Sequence, residues 1–185
     1  MSELEPPDLP IPELRTERLL LRGWRDSDLD AYAAIAADEE TMRWVGGMQS
    51  RSMAWRALAL YAGHWALRGY GLWAVEHGGE LVGRIGLWRP EGWLGLELGW
   101  LLARNAWGNG FATEAAGAAL VWAWEHVRDQ HLISLIDPAN ARSLRVADRL
   151  GMREIGETTL GETRVLVYGI EPPASGGRDA SQRPS

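Results

Sequence analysis

Arg104-Asn105-Ala106-Trp107-Gly108-Asn109-Gly110-Phe111-Ala112-Thr113-Glu114-Ala115-Ala116 is the stretch on which the reading of this chain turns. Immediately upstream, Leu94 to Leu102 (LGLELGWLL) is almost continuously apolar, the pattern of a buried strand. Downstream, from Thr113 to Val127, residues Ala116, Leu120, Trp124 and Val127 recur on one helical face. The segment therefore reads as strand, glycine-bearing turn, helix. Two glycines one residue apart let the backbone take positive φ and turn its N–H groups toward a common centre. The helix that follows adds unpaired N–H groups and the positive end of its dipole. Together they form a site for a polyanion, and a pyrophosphate fits best.

The usual pyrophosphate signatures are missing. The chain has no lysine, which excludes a P-loop lysine, a pyridoxal-phosphate Schiff base and a kinase strand lysine. The dinucleotide fingerprint needs a third glycine, and Gly110 is followed by Phe111, Ala112 and Thr113. A phosphate loop without a lysine remains. A second block, Asp137-Pro138-Ala139-Asn140-Ala141-Arg142-Ser143 continuing through Leu150-Gly151-Met152, follows the first in the same chain.

These two blocks resemble the cofactor motifs of the GNAT N-acetyltransferases. Asn105-x-x-Gly108-x-Gly110 is similar to that family's Arg/Gln-x-x-Gly-x-Gly/Ala loop, with Asn105 where Arg or Gln is usual. Asn140-x-x-Ser143 on a helix ending in Leu150-Gly151-Met152 resembles the second motif, and Trp107 to Ala115 resembles the RimJ/RimL-like branch. The resemblance spans residues 15 to 170. It implies a mixed α/β (α+β) domain whose central sheet is splayed open between two parallel strands, Leu94–Leu102 and Leu132–Asp137, flanked by about four helices. It further implies acetyl-CoA as cosubstrate, bound through the backbone of Trp100, Leu101 and Leu102 and through Asn105, Trp107, Gly108, Asn109, Gly110, Phe111, Ala112, Thr113, Asn140 and Ser143.

Composition agrees with one ordinary globular domain. The chain has 185 residues, of which 46% are hydrophobic and 24% charged. There is no cysteine, so disulfides, a thiolate nucleophile and thiolate metal ligands are all excluded. The histidines His64, His77, His126 and His131 lack metal-ligand spacing, and we expect no metal and surface or lightly packed rings. A net charge of −6 argues against nucleic-acid binding through a basic face. With no signal peptide or long apolar run, the expectation is a cytoplasmic protein without membrane association. The eleven tryptophans should mostly form core or groove wall.

Along the chain, residues 1–14 read as an extended lead-in and Thr16–Gly23 as the first strand. Asp26 or Ser27 should cap a helix to about Ala37, and a second helix should run from Met53 to about Leu67, ended by Gly69. A hairpin at His77-Gly78-Gly79 leads into the central strand. After the long helix come a strand at Leu132–Ile136, a helix capped by Asn140 and stopped by Gly151, and a hairpin of Met152–Leu160 with Thr163–Ile170. The order is βααβββαβαββ. Residues 171–185 are too poor in apolar side chains to fold.

Acetyl transfer to an amine needs a deprotonated amine, a polarised carbonyl and a proton for the leaving thiolate; alignment supplies much of the rate. Glu97, which interrupts an apolar strand, is the candidate base, unless its charge points outward or pairs with an arginine. Ser143 is the candidate hydrogen-bond donor to the thiolate, or else simply a first-turn serine. Arg104, Arg145 and Arg149 are candidates for the adenosine 3′-phosphate or solvated surface charges; the latter two are expected on the outer side of their helix. Glu114 should serve the helix start. The acceptor is left open between a protein N-terminus and a small amine such as an aminoglycoside, and a catalytically silent coenzyme-A-binding module is the alternative.

Overall fold

The computed structural model describes residues 11–127 and 131–173. Residues 1–10 of the expected lead-in and 174–185 of the expected tail lie outside the described residues. The strands are β1 (Leu14–Arg15), β2 (Leu20–Arg22), β3 (Leu72–His77), β4 (Glu80–Trp88), β5 (Leu96–Leu102), β6 (Leu132–Ile136), β7 (Arg153–Leu160) and β8 (Thr163–Ile170). The helices are α1 (Leu29–Ala36), α2 (Glu39–Met42), α3 (Arg51–Arg68), α4 (Phe111–His126) and α5 (Ala141–Leu150). The eight strands form one sheet in the order β1-β2-β3-β4-β5-β6-β8-β7. Every neighbouring pair is antiparallel except β5 and β6, which run parallel.

That parallel pair is joined only at Leu96–Leu132 and Glu97–Ile133. Past it the strands part, and the buried Ser134 hydroxyl donates to the Leu98 carbonyl at 2.6 Å where a backbone N–H would otherwise sit. The expected splayed sheet is therefore present. Alternation along β5 then sorts side chains between its two faces. Leu96, Leu98, Trp100 and Leu102 pack toward α4, whereas Leu101 packs with Ile35 of α1 and Met42 of α2.

The α4 face is a core of alanines against large residues. Ala115, Ala116, Ala119 and Ala123 are fully or almost fully buried, so the helix backbone lies close on β4 and β5. The expected stripe of Ala116, Leu120, Trp124 and Val127 packs into this core, which is widened by Trp122, the most buried tryptophan of the helix. It meets Trp73 at 5.1 Å and Trp65 at 5.7 Å, edge to face in both cases. Such pairs add about 0.5–1.5 kcal/mol each beyond burial. The opposite face is covered by α1 and α3, where Tyr32, Tyr61 and Trp88 cluster with Leu58 and Leu72.

Several local expectations are corrected. The first strand is shorter than Thr16–Gly23, because the Thr16 hydroxyl accepts the Leu19 N–H at 3.0 Å and holds residues 16–19 as a turn. Neither Asp26 nor Ser27 caps α1. Residues 26–28 tighten into a 3-10 turn, and Asp28 is buried, taking both terminal nitrogens of Arg22 at 2.8 Å. Asp28 raises the pKa of Arg22, with Glu76 adding to the effect against the cost of burial. The helix α2 was not foreseen; Asp38 caps it by accepting the Thr41 N–H at 2.7 Å. His64 is buried rather than lightly packed, with Nδ1 against the Tyr70 carbonyl at 2.8 Å and Nε2 accepting the Arg89 N–H at 3.3 Å. Among the described residues no helix is long and apolar enough to cross a membrane.

Candidate active site

Two cavities open where β5 and β6 part, and they share Trp44 and Val45 as a common wall. The first, about 310 Å³, lies against the N-termini of α4 and α5. The second, about 700 Å³, lies on the α1/α3 side of the sheet.

Gly108 and Gly110 line the first cavity, both at φ +80. A Cβ at Gly108 would meet nothing within 4 Å, so its backbone faces open space. Gly110 is the N-cap of α4, and the first intrahelical bond is Glu114 N–H to the Gly110 carbonyl. The N–H groups of Phe111, Ala112 and Thr113 therefore have no helical partner, and all three residues line the cavity. Thr113 Oγ1 is buried with no hydrogen-bond partner among the described residues. An orphaned donor and a helix N-terminus together fit a phosphate-bearing ligand.

Around this cavity, α5 contributes Arg142, Arg145 and Arg149, which recur at i, i+3 and i+7 and share one face of the helix. Arg145 and Arg149 are exposed as expected, but on the side of the helix that faces the cavity, and Arg142 was overlooked although that same spacing announces it. Arg142 lies over the Trp107 ring at 4.1 Å and reaches Glu40 of α2 at 3.5 Å. Arg104 stands apart from the cavity, 3.4 Å from Asp38. Asn105 is exposed and outside the lining, and Asn109 braces the loop by donating to the Ala106 and Trp107 carbonyls. Trp107 lines the cavity while its indole donates to the Leu102 carbonyl at 2.8 Å. Glu114 bolts the start of α4 to the β1–β2 turn, accepting from the Thr16 hydroxyl at 2.6 Å and from Arg18 Nε at 2.7 Å. Burial opposes its ionisation, but these donors outweigh it and its pKa is lowered.

Ser143 sits in the first turn of α5, where Asn140 caps the helix by accepting the Ser143 N–H at 3.2 Å. Its hydroxyl oxygen accepts from Asn140 Nδ2 at 3.0 Å and from Trp100 Nε1 at 3.1 Å. Both lone pairs are thereby occupied, and the hydroxyl proton is left to donate. Trp100, Leu101 and Leu102 line the same cavity along the edge of β5 that has no ladder partner in β6.

Glu97 belongs to the other face. It lines the second cavity, accepts from the Trp93 indole at 2.7 Å, and takes a backbone hydrogen bond from Leu135 of β6. Its carboxylate thus fills the wedge between the parting strands. Burial raises its pKa above the ordinary carboxylate value, only partly countered by Trp93, Arg84 and Leu135. Arg84, also in this cavity, was missed by the sequence reading, yet it interrupts the apolar β4 as Glu97 interrupts β5. Ser143 and Glu97 are therefore on opposite sides of the sheet, at cavities that share the wall of Trp44 and Val45. Among the described residues no group of three or more His, Asp or Glu could hold a metal ion.

Comparison with known proteins agrees with this architecture. The chain is 32% identical over 150 residues to the Bacillus subtilis (strain 168) protein YkkB, covering 76% of this chain and 84% of that one. The acetyltransferase from Agrobacterium tumefaciens str. C58 superposes with a TM-score of 0.81 at 32% identity, over 92% of this chain and 100% of that one. RimL, a ribosomal L7/L12 alpha-N-protein acetyltransferase in complex with coenzyme A, shares the fold at 15% identity, with a TM-score of 0.74 over 84% of this chain and 95% of its own. Residues 18–153 match the family described as Acetyltransferase (GNAT) domain, and this chain belongs to the GNAT acetyltransferases.

Proposed function

We propose that the protein moves an acetyl group from acetyl-CoA to a primary amine by direct attack while both substrates are bound. The observation that carries this reading is the pair of cavities meeting at the parted strands, one lined by helix N-termini and arginines, the other by a carboxylate. When bound, acetyl-CoA supplies an acetyl group activated as a thioester. The backbone N–H groups of residues 108–113 and the arginines of α5 hold the phosphates, and Thr113 Oγ1 gains its missing partner there. The free edge of β5 aligns the extended arm with the gap, as a missing strand would be aligned.

Glu97 takes a proton from the acceptor ammonium, directly or through one water; its raised pKa brings it nearer to the working range of a general base. Ser143 donates a hydrogen bond to the sulfur as negative charge develops on it. With no cysteine in the chain, an acyl-thioenzyme is excluded and a single transfer step suffices. The fold shared with RimL does not by itself select a protein N-terminus, so peptide N-termini and small amines enter the test together.

The test is thiol release from acetyl-CoA against a panel of N-terminal peptides, polyamines, amino acids and aminoglycosides. Release with at least one class, abolished in a Gly108→Asp variant, is expected. Tight coenzyme A binding with no release across the panel would instead identify a silent binding module.

A further inference from the structure

We infer that the acceptor is an amine that also carries a carboxylate on an apolar body, and that Arg84 is the residue that holds this carboxylate. The inference rests on the acetyl-transfer reading above, in which the second cavity receives the acceptor.

Arg84 lies mid-strand in β4, opposite Leu101 of β5, so it shares a sheet face with Glu97 and Gly99. Its Nε is buried and has no hydrogen-bond partner among the described residues. The guanidinium lies over the Tyr61 ring at 5.3 Å, and the Tyr61 hydroxyl is engaged with that of Tyr32 at 3.0 Å. Glu97, whose charge acts on Arg84 from the same face, spends Oε2 on the Trp93 indole at 2.7 Å. Tyr32 takes one hydrogen bond from the guanidinium, but burying an arginine with its Nε unmet is costly, and a ligand that accepts from it completes the pairing. Burial works against the Arg84 charge, yet Tyr61, Tyr32 and Glu97 outweigh it, so the group stays cationic.

The rest of the cavity specifies the remainder of the ligand. Gly99 lies between Glu97 and Leu101 on this face, and a Cβ there would meet only Glu97 Oε1, at 3.9 Å. A bare strip of strand thus separates a carboxylate that suits an ammonium from a guanidinium that suits an anion. Trp44, Trp88, Trp93 and Leu135 wall this strip and suit an apolar body. Carboxylate is favoured over a dianion because Asp137 joins Glu97 as a second acid in the same cavity. A guanidinium fork also matches a carboxylate in two parallel bonds.

Matched pairs test this: L-phenylalanine against 2-phenylethylamine, glycyl-L-phenylalanine against glycyl-2-phenylethylamide, and 4-aminobutanoate against butylamine. Each is titrated calorimetrically into the coenzyme-A-saturated protein and assayed for thiol release from acetyl-CoA. A charged hydrogen-bonded contact predicts that the carboxylated member of at least one pair binds roughly 30-fold tighter or more. In Arg84→Met that preference should fall to near parity, with Arg84→Lys intermediate. Met retains the apolar stem and removes the unmet donor, and unchanged coenzyme A affinity in Arg84→Met will report that the fold survives; Arg84→Gln serves as a second variant. Equal or tighter binding of the carboxylate-free partners in the wild type overturns the inference, as does a preference that survives in Arg84→Met and Arg84→Gln, or no binding by any carboxylated member. Carboxylate-selective binding without thiol release upholds the role of Arg84 and sinks the acetyl-transfer reading. Efficient release with carboxylate-free amines does the reverse.

Discussion

Replacing Ser143 with alanine separates its chemical role from its structural one. The hydroxyl accepts from Asn140 at 3.0 Å and from Trp100 at 3.1 Å, leaving its proton free to donate, in the proposed mechanism to the leaving sulfur. A hydrogen bond to a charged partner contributes about 1.5–3 kcal/mol. If that contact forms only as the thiolate develops, its loss lowers kcat by roughly 10- to 150-fold with little change in the KM for acetyl-CoA. On the structural side, two donors lose their acceptor. Ser143 and Trp100 are only partly buried, so water can replace it, and the penalty should be about 1 kcal/mol, or ~2–4 °C in Tm for a domain of this size. Ser143→Thr restores the hydroxyl and should recover most of kcat. Steady-state thiol release and differential scanning calorimetry on the three proteins read both effects. A fall in Tm with kcat within about twofold of wild type would make Ser143 a helix-start residue only and refute the assignment.

Glu97→Gln should lower kcat/KM most at low pH, where the amine is protonated and proton removal limits the rate; an unchanged pH profile would retire Glu97 as base. Because burial holds the folded pKa of Glu97 above its unfolded value, its favourable contribution to stability is present below the unfolded pKa and is lost as pH rises through the folded one. The variant should therefore gain in Tm relative to wild type on going from pH 4 to pH 7, and a difference that does not move with pH contradicts the buried-carboxylate account. Asp28→Asn strips a buried Arg22 of its bidentate partner and should cost about 3–5 kcal/mol, roughly 6–20 °C in Tm; a loss below ~3 °C would mean that Glu76 alone suffices. Gly108→Asp sets a carboxylate and a Cβ where φ is +80 in the phosphate loop, and should weaken coenzyme A binding at least about tenfold while sparing the fold. Unchanged affinity by calorimetry would remove the loop from the binding site.

What could be read in advance was whatever a local rule controls. The cap at Asn140, the glycine stops at Gly69 and Gly151 and the Gly78-Gly79 hairpin each depend on a few neighbouring residues, and each was found where expected. The loop between β5 and α4 followed from its strand, glycine turn and helix pattern, and the parallel strands from the family resemblance alone. What escaped depends on distant partners. Asp26 and Ser27 look like helix caps, and only folding shows that the next acid, Asp28, stands at the helix start with its carboxylate claimed by Arg22. Arg142, Arg145 and Arg149 look like a solvated stripe until α4 and the β5 edge form a cavity in front of them. The α4 stripe was read too narrowly, because Ala115, Ala119 and Ala123, weakly hydrophobic in a pattern, join Ala116 in setting the closest approach to the sheet.

The alternation along β5 sends Glu97 to one side and Trp100, with Ser143, to the other. In the proposed mechanism the two halves of the reaction are thus supported by different scaffolds, α1 to α3 behind the carboxylate and α4 with α5 behind the hydroxyl. Substitutions that reshape the wall made by Trp88, Trp93 and Tyr61 leave the loop at Gly108 and the cap at Asn140 untouched. Such a protein can exchange one amine for another over evolutionary time, or in the hands of an engineer, while the half that handles the common donor stays unchanged.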